Sequence, residues 1–546
     1  MKTTHLPAPP LPAGRPNLIV TGFMGTGKTT AGRFASRLLG LPFVDLDGVI
    51  AARAGTTIAS IFEASGEQGF RELERRAVTD ATRISGTVIA TGGGAVLDTE
   101  GFARLAEGSA VAVLTCDPEE VVRRVGEAGG RPLLDEDPAA RASALLAERA
   151  VAYDRAGPPL DTTGLDVAGV GAALAARYRA FVGPSATVSV EVRGPTATYP
   201  VVVGQALDVT GAQVRAALPG AQLALVVADR LVDPLVGERV AASIASEGID
   251  VERFPLPAGE AAKSVEVVAD LWSRFVALGV DRTSVVVAVG GGACLDAAGF
   301  VAATFARGIP LVNVPTTLLA MADASLGGKT AIDHGGSKNS VGAFHHPSLV
   351  LADPAALGSV PIRDLRGGLA EIVKMAATAS PLVLDMLEAA PLDDRGLPSD
   401  LRWLVEQAVR MKAAYVAEDP GDLGLRHTLN LGHTVGHGIE ASTVHEVSHG
   451  EAVAIGLVAE SRYGESLGVT PGGTAARLEE LLRRFGLPVD APPGLDANDV
   501  LIRMGSDKKR RGGRAVVVVP APGGAEMIED ADVGVLLAFL RTGVAS

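Results

Sequence analysis

An α/β protein built from three consecutive regions is what this chain of 546 residues predicts, and three observations carry that prediction. Between residues 17 and 180, short apolar runs (NLIVT, PFVDLD, TVIATGGG, SAVAVLTC) alternate with amphipathic stretches, the rhythm of βα units in a parallel sheet. A second such series extends over 188–358, with strands expected at 222–228, 284–289 and 310–314. After Pro361, amphipathic stretches at 365–377, 400–416, 431–441 and 450–467 predict a mostly helical region, and strand signals nearly vanish until AVVVVPA. The boundaries drawn are a disordered proline-rich tail at 1–15, a first domain at 16–181, a linker at 182–187 (VGPSAT), a second domain at 188–358 and a third at 359–546.

Composition narrows the function. A net charge of −14 argues against nucleic acid, whose binding needs basic surfaces that release counterions. Small anions remain compatible, because local Lys/Arg clusters hold them inside an acidic protein. Two cysteines cannot build a disulfide framework, which fits a reducing cytoplasm. The opening MKTTHLPAPPLPAGRP has no apolar core and does not read as a signal peptide, and no apolar run of about 18 residues suggests a membrane span.

The first domain opens with GFMGTGKTT, a complete GxxxxGK[ST] loop between the strand NLIVT and a helix. In Gly25, Thr26, Gly27, Lys28, Thr29 and Thr30, backbone amides and the helix N-terminus can cradle phosphate, Lys28 adds a point charge, and the Thr29 hydroxyl suits Mg2+. A glycine turn that merely closes a βα unit is the bland reading, and the full motif with its flanks disfavours it. Strand alternation would place Asp45 and Asp47 on one face at the carboxyl edge of the sheet, one for Mg2+ and one for a substrate hydroxyl. Gly92, Gly93 and Gly94 close the strand TVIAT, Arg71 in GFRELE could clamp a carboxylate, and Arg131 in GGRPLL reads as a lid arginine, with Arg149 following in ERAVAY.

Taken in order, GFMGTGKTT, DLD, GFRELE, TGGG, GGRPLL and ERxxxY resemble shikimate kinase over residues 17–180. The resemblance implies a P-loop kinase domain that binds ATP with Mg2+ at Lys28, Thr29 and Asp45. It places shikimate among Asp47, Arg71, Gly92, Gly93, Gly94 and Arg149, brings Arg131 to the transferring phosphate, and puts Arg124 against adenine. The stretch DTTGLD lacks the proline usual in the family's adenine loop.

In the second domain, Gly290, Gly291 and Gly292 follow the buried strand SVVVAV and suggest a pyrophosphate turn. Glu260 and Lys263 in GEAAKS could grip a ribose or phosphate, and Thr316 and Thr317 offer hydroxyls. Arg307, Asp323, Lys329, Lys338 and Asn339 are read as loop residues in otherwise apolar text, a pattern that suits a phosphorylated, carboxylated substrate. Five of the nine histidines fall between His427 and His449, which suggests a metal site. Glu371 lies on a predicted helix with Lys374 one turn on; spacing alone nominates His433 with His437 as paired ligands, and His449 competes. His427 and His445 are left unassigned.

From residue 188 onward, GEAAKS, VGGGACLDAAGF, VPTTLLAMADASLGGKTAID, KNSVGAFHHP, GLAEIVKMA, LRHTLNLGHTVGHGIE, SHGEAVAIG and DKKRRGG resemble 3-dehydroquinate synthase. The resemblance implies an NAD-binding α/β domain followed by a mostly helical metal-binding domain, with Glu371, His433 and His449 as ligands of Zn2+ or Co2+. It assigns Arg307, Asp323, Lys329, Asn339, Lys374, Lys412, Arg426, Asn430, His437 and Lys508 or Lys509 to the substrate. NAD falls to Asp229, Glu260, Lys263, Gly290, Gly291, Gly292, Asp296, Thr316, Thr317, Lys329 and Lys338, and the catalytic set to Lys28, Asp47, Arg131, Lys329, Lys374, Arg426, Asn430 and His437. Two departures stand out: Asp422 replaces a glutamate before GLR, and the segment after Asp229 lacks an asparagine. The expectation is a bifunctional shikimate-pathway enzyme acting on small molecules, cytoplasmic, and homodimeric through the synthase-like half. Another sugar phosphate cyclase, a metal-dependent alcohol dehydrogenase, and a non-catalytic module are the rival readings.

Overall fold

The computed structural model describes residues 3–117, 119–121, 123–124, 138–183, 187–195, 198–443, 446–505 and 514–541. The chain divides into two compact units, Gly14–Ser185 and a second made of Met1–Ala13 with Ala186–Ser546.

In the first unit a five-stranded sheet runs in the order Phe43–Asp45, Val88–Ala90, Leu18–Gly22, Ala110–Thr115, Pro159–Asp161, every pair parallel. Leu18–Gly22 is buried throughout, so it reads as an unbroken apolar run rather than an alternation. Its Leu18 and Val20 pack with Ala31 and Ala35 of the helix Lys28–Leu39 and with Val170 and Leu174 of the helix Val167–Val182. One expectation fails here. The strand stops at Asp45, whose carboxylate accepts the Asp47 N–H at 3.1 Å and caps the helix Leu46–Ala54. A cap ends extended backbone, so strand alternation does not relate Asp45 to Asp47.

In the second unit a seven-stranded sheet has the order Asp250–Leu256, Leu223–Asp229, Ser284–Gly290, Leu311–Pro315, Leu349–Ala352, Thr198–Gly204, Thr187–Arg193. Only the last pair is antiparallel. Lys329, Lys338 and Asn339 are not loop residues, as expected from sequence, but lie on a two-stranded ribbon, Lys329–His334 with Ser337–Phe344. Gly335 and Gly336, at φ 61 and 76, supply the two left-handed residues that so tight a turn demands. Because the Ser337–Phe344 strand is exposed along nearly its whole length, it carries polar residues without an apolar face to betray it. Asp323 likewise sits in a short helical turn, Ala320–Ala324, and Arg307 ends another, Phe305–Arg307.

The helices Ile362–Ala379, Pro381–Ala389, Leu401–Glu418, His433–Ser442, His449–Ser466 and Thr474–Arg484 dominate the C-terminal part of this unit. His449–Ser466 is buried on almost every side, with Ala452, Ile455, Ala459 and Tyr463 packed against Val435, Ile439, Val517 and Ile528. No helix of the described residues is long and apolar enough to cross a membrane.

The disordered tail expected at 1–15 is corrected by a third sheet, ordered Thr3–Pro7, Gly524–Asp532, Arg514–Ala521. Thr3–Pro7 pairs antiparallel with Gly524–Asp532, Leu6 is buried, and Arg410 donates from Nε to the Pro12 carbonyl at 2.8 Å. Proline disfavours a central strand yet is tolerated on an edge, which is where this segment lies. The first unit is therefore an insertion in the sequence of the second. Leu6→Ala should cost the second unit about 2 kcal/mol. Calorimetry should show the second unit's transition moving to lower temperature and the first unit's transition unmoved.

Candidate active sites

The glycines of the phosphate-binding loop are required by its backbone. Gly22, Gly25 and Gly27 adopt φ of 140, 77 and 88, and a Cβ on Gly22 would lie 2.3 Å from the Leu114 carbonyl oxygen. Gly27 offers no side-chain cap to the helix Lys28–Leu39, so the first helical amides stay open to an anion. Lys28 Nζ and the Thr26 hydroxyl both donate to the Phe23 carbonyl (2.9 and 2.7 Å), and the Thr29 hydroxyl donates to Asp45 Oδ2 at 2.6 Å. Residues Gly25 to Thr30 line a cleft of about 840 Å³ together with Asp45, Asp47 and Arg124. Arg124 is held by Glu120 and by the Thr162 carbonyl at 3.1 Å. Gly164, Leu165 and Asp166 of DTTGLD reach the same cleft without a proline.

The glycine triplet meets charge. A Cβ on Gly92 would lie 2.3 Å from Glu74 Oε1 and 2.8 Å from Asp47 Oδ1, and one on Gly94 would lie 1.8 Å from Arg71 Nη1. Arg71 forks between Glu74 (2.5 Å) and Glu67 (2.9 Å), while Arg149 is buried with its guanidinium 6.0 Å from the Phe23 ring centroid. The Tyr153 hydroxyl donates to the Gly93 carbonyl at 2.6 Å, and burial raises that phenol to about 12. Sequence reasoning missed Glu74 and Tyr153, although each closes a motif it used: Glu74 ends GFRELE, and Tyr153 ends ERxxxY. Glu74 is buried, and desolvation raises its carboxyl against the pull of Arg71. Arg131 lies outside the described residues.

In the second unit, Gly290 ends the buried central strand and Gly291 begins the helix Gly292–Thr304 with no side-chain cap, a second amide cluster suited to an anion. A Cβ on Gly290 would lie 2.7 Å from Cys294 Cβ, and one on Gly291 3.2 Å from Thr317 Cγ2. The Thr316 hydroxyl is buried without a partner among the described residues, whereas Thr317 accepts the Ala320 N–H. Asp229 accepts the amides of Leu231 and Gly259. Lys263, buried, pairs with Asp296 at 2.7 Å and touches Asn339; burial raises Asp296 to about 6 in spite of that lysine. Glu260 is exposed, 3.8 Å from Lys338. Arg307 is exposed at φ 65 and makes no ion pair with the described residues.

Beside the helical region three side chains converge. Nε2 of His433 and Nε2 of His449 lie 3.5 and 3.3 Å from Glu371 Oε1. Glu371 is wholly buried, and neither of its oxygens accepts a hydrogen bond of regular geometry, which suits a cation. The Nδ1 atoms are occupied elsewhere, on the Leu431 carbonyl for His433 and on Glu440 for His449, both at 3.1 Å, so the Nε2 atoms are the ones left facing inward. These three residues form the group whose ligand atoms lie within 4.8 Å of one another. His437 is not in that group: it packs its ring against both histidines, with centroids 5.2 and 5.8 Å away. The close approach depends on small residues, because a Cβ on Gly450 would lie 2.3 Å from Gly367 Cα.

Cations adjoin the cluster through Lys374. Lys374, buried, contacts Glu371, and Lys412 pairs with Asp323. Burial lowers Lys412 to about 8, and although Asp323 is desolvated too, Lys412 and Lys374 hold it at about 2. Arg426 is buried with Nε and Nη2 unpartnered among the described residues, and Asn430 lies exposed at the end of the same turn, Leu425–Asn430. Asp422, at φ 57, where aspartate is better tolerated than most side chains, meets Lys329 Nζ at 2.5 Å. Glu440 was also missed: it bridges Lys338 (2.9 Å) and His449, and both hold its carboxyl well below the usual range despite desolvation. Lys508 and Lys509 lie outside the described residues, as does His445.

Residues 253–367 match the family model for the 3-dehydroquinate synthase N-terminal domain, 368–510 its C-terminal domain, and 24–168 shikimate kinase. The chain is 45% identical over 333 residues to the 3-dehydroquinate synthase of Symbiobacterium thermophilum, a match covering 60% of this chain and 93% of that one. It is 41% identical over 352 residues to that of Caulobacter vibrioides, covering 63% and 95%. Among solved structures it is similar to the 2-epi-5-epi-valiolone synthase ValA of Streptomyces hygroscopicus subsp. jinggangensis 5008, solved with NAD+ and Zn2+ bound, with a TM-score of 0.58 and 29% identity over 64% of this chain and 98% of that one. The chain belongs to the 3-dehydroquinate synthase family and carries a shikimate kinase domain ahead of that half, which makes it a bifunctional enzyme of the shikimate pathway.

Proposed function

We propose that the cleft at Lys28 phosphorylates shikimate to shikimate 3-phosphate with ATP, and that the Glu371 cluster cyclises 3-deoxy-D-arabino-heptulosonate 7-phosphate to 3-dehydroquinate with release of phosphate. The observation that carries the second assignment is the meeting of Glu371, His433 and His449 beside Lys374, Lys412 and Arg426, an anion-binding wall around a cation site.

In the kinase site the loop amides and Lys28 hold the ATP phosphates, and Thr29 with Asp45 suits Mg2+. Asp47 accepts the hydrogen bond of the attacking hydroxyl. Arg71 and Arg149 bind the shikimate carboxylate, with Glu74 fixing Arg71. Gly92 and Gly94 leave room for Asp47, Glu74 and Arg71, which side chains there would strike, and with Gly93 they line the shikimate ring in this reading. Arg124 faces the adenine, and the lid role assigned to Arg131 completes the reading.

In the synthase site Glu371, His433 and His449 would hold Zn2+ or Co2+, and Gly290 to Gly292 with Asp229, Glu260, Lys263, Asp296, Thr316, Thr317, Lys329 and Lys338 would hold NAD. When bound, the metal acidifies a substrate hydroxyl and NAD takes and returns a hydride. Lys374, Lys412 and Arg426 bind the substrate's carboxylate and phosphate, and Asp323 keeps Lys412 charged. Lys329 is oriented by Asp422, whose shorter side chain still reaches it. His437 and Asn430 face the substrate, with Arg307, Asn339 and Lys508 or Lys509 as further contacts. The protein is read as a cytoplasmic homodimer through the synthase half. The two reactions are not consecutive, since dehydroquinate must be dehydrated and reduced before phosphorylation, so no direct hand-over is invoked.

Lys28→Ala is expected to lower ATP-dependent shikimate phosphorylation by on the order of a hundredfold or more and leave cyclisation intact, and His449→Ala to do the reverse. Loss of both activities in either variant would refute independent sites. Phosphate release without net NADH accumulation is the expected signature; steady NADH production would instead indicate a dehydrogenase. Because the Lys412 ammonium loses its proton above about pH 8, the synthase KM should climb beyond that pH, by up to about tenfold per unit. Lys412→Arg should flatten the rise, and an unchanged profile would remove Lys412 from substrate binding.

A further inference from the structure

The helix that begins with His433 has no cap of its own. Its N-cap residue, Gly432, carries no side chain and sits at φ 78, so the first amides of the helix need an acceptor from outside. That acceptor is Glu460, a residue with no assigned role, on the helix His449–Ser466. Glu460 is fully buried; its Oε2 accepts the Gly432 N–H at 2.6 Å and its Oε1 the Val435 N–H at 2.9 Å. The same two helices are pressed together at glycines. A Cβ on Gly456 would lie 2.0 Å from the Gly432 carbonyl oxygen, and one on Gly436 3.0 Å from that of Ala452.

The bonds have a consequence for the cation site. His433 is the first residue of one helix and His449 the first residue of the other, and Glu460 lies on the second while gripping the start of the first. Rotation or fraying of the first turn of His433–Ser442 would swing the His433 imidazole away from Glu371 and His449. A carboxylate spanning two amides of that turn blocks this motion; burial pushes the Glu460 carboxyl up to about 8, while the N–H groups it faces and the positive end of the helix pull it back toward the charged form.

We infer that Glu460 is a positioning residue for the cation site, an N-cap supplied by a neighbouring helix that holds the His433 backbone in register with His449 and Glu371. The inference rests on the reading of those three residues as metal ligands.

The test uses the full chain, stripped of metal and reloaded with Co2+. In Glu460→Gln one acceptor oxygen is replaced by an amide that opposes an N–H, so Co2+ affinity measured by chelator competition should fall about 10- to 100-fold. The visible Co2+ absorption bands should change in position or intensity, and shikimate phosphorylation should persist. Affinity and bands matching the parent would overturn the inference. So would a variant whose melting temperature falls equally with and without Co2+, since that marks a purely structural bond. Should Glu460→Gln fail to fold, Glu460→Asp, which keeps the carboxyl group but is too short to span both amides, must show the same loss of affinity and altered bands, and parent-like values there would equally overturn it. Failure of the parent itself to bind Co2+ would instead sink the metal reading.

Discussion

Everything in the synthase half depends on bringing one carboxylate and two imidazoles to a point from three separate helices. Glu371 comes from the middle of Ile362–Ala379, whereas His433 and His449 each open a helix. Such an arrangement tolerates little bulk: Gly450 must pass Gly367, and Gly456 must pass Gly432, at separations that no side chain would permit. It also concentrates buried charge, since Glu371, Lys374 and Lys412 are all removed from water. Burying ions costs several kcal/mol each, which even the pairs Lys374–Glu371 and Lys412–Asp323 need not repay, so this cluster is explained better by a functional site than by a structural one.

The two units solve a similar problem with similar means. Each ends a fully buried central strand in glycine and then starts a helix whose first amides have no side-chain cap, at Gly27 in one and Gly291 in the other. Uncapped amides at the carboxyl edge of a parallel sheet suit an anion, and in the first unit Lys28 adds its charge to them. In the proposed reading charged residues then discriminate what sits beyond the phosphate: Arg71 and Arg149 in the first unit, Lys374, Lys412 and Arg426 in the second.

The joining of the two activities has a structural side. Thr3–Pro7 belongs to a sheet of the synthase unit, so the kinase unit is tethered through both of its ends rather than hung from a terminus.

Much was legible in the sequence alone. Local periodicity identified two parallel sheets and a helical region, and glycine spacing marked the phosphate turns, because these depend on backbone preferences that neighbouring residues settle. Tertiary structure decided the rest. Spacing left His437 and His449 as rivals, and only the folding of separate helices brings His449 together with Glu371 and His433. The edge strand Thr3–Pro7 was invisible because its partner lies more than five hundred residues away. The ribbon carrying Lys329 and Lys338 was missed because an exposed strand shows no apolar face. Glu74, Glu440 and Glu460 look in the sequence like ordinary helical glutamates, and their meaning comes from what each one touches: Arg71, His449 and the open end of the His433 helix. Sequence determines local conformation through nearest neighbours, whereas a site is a set of distances between remote residues, which only the packed chain defines.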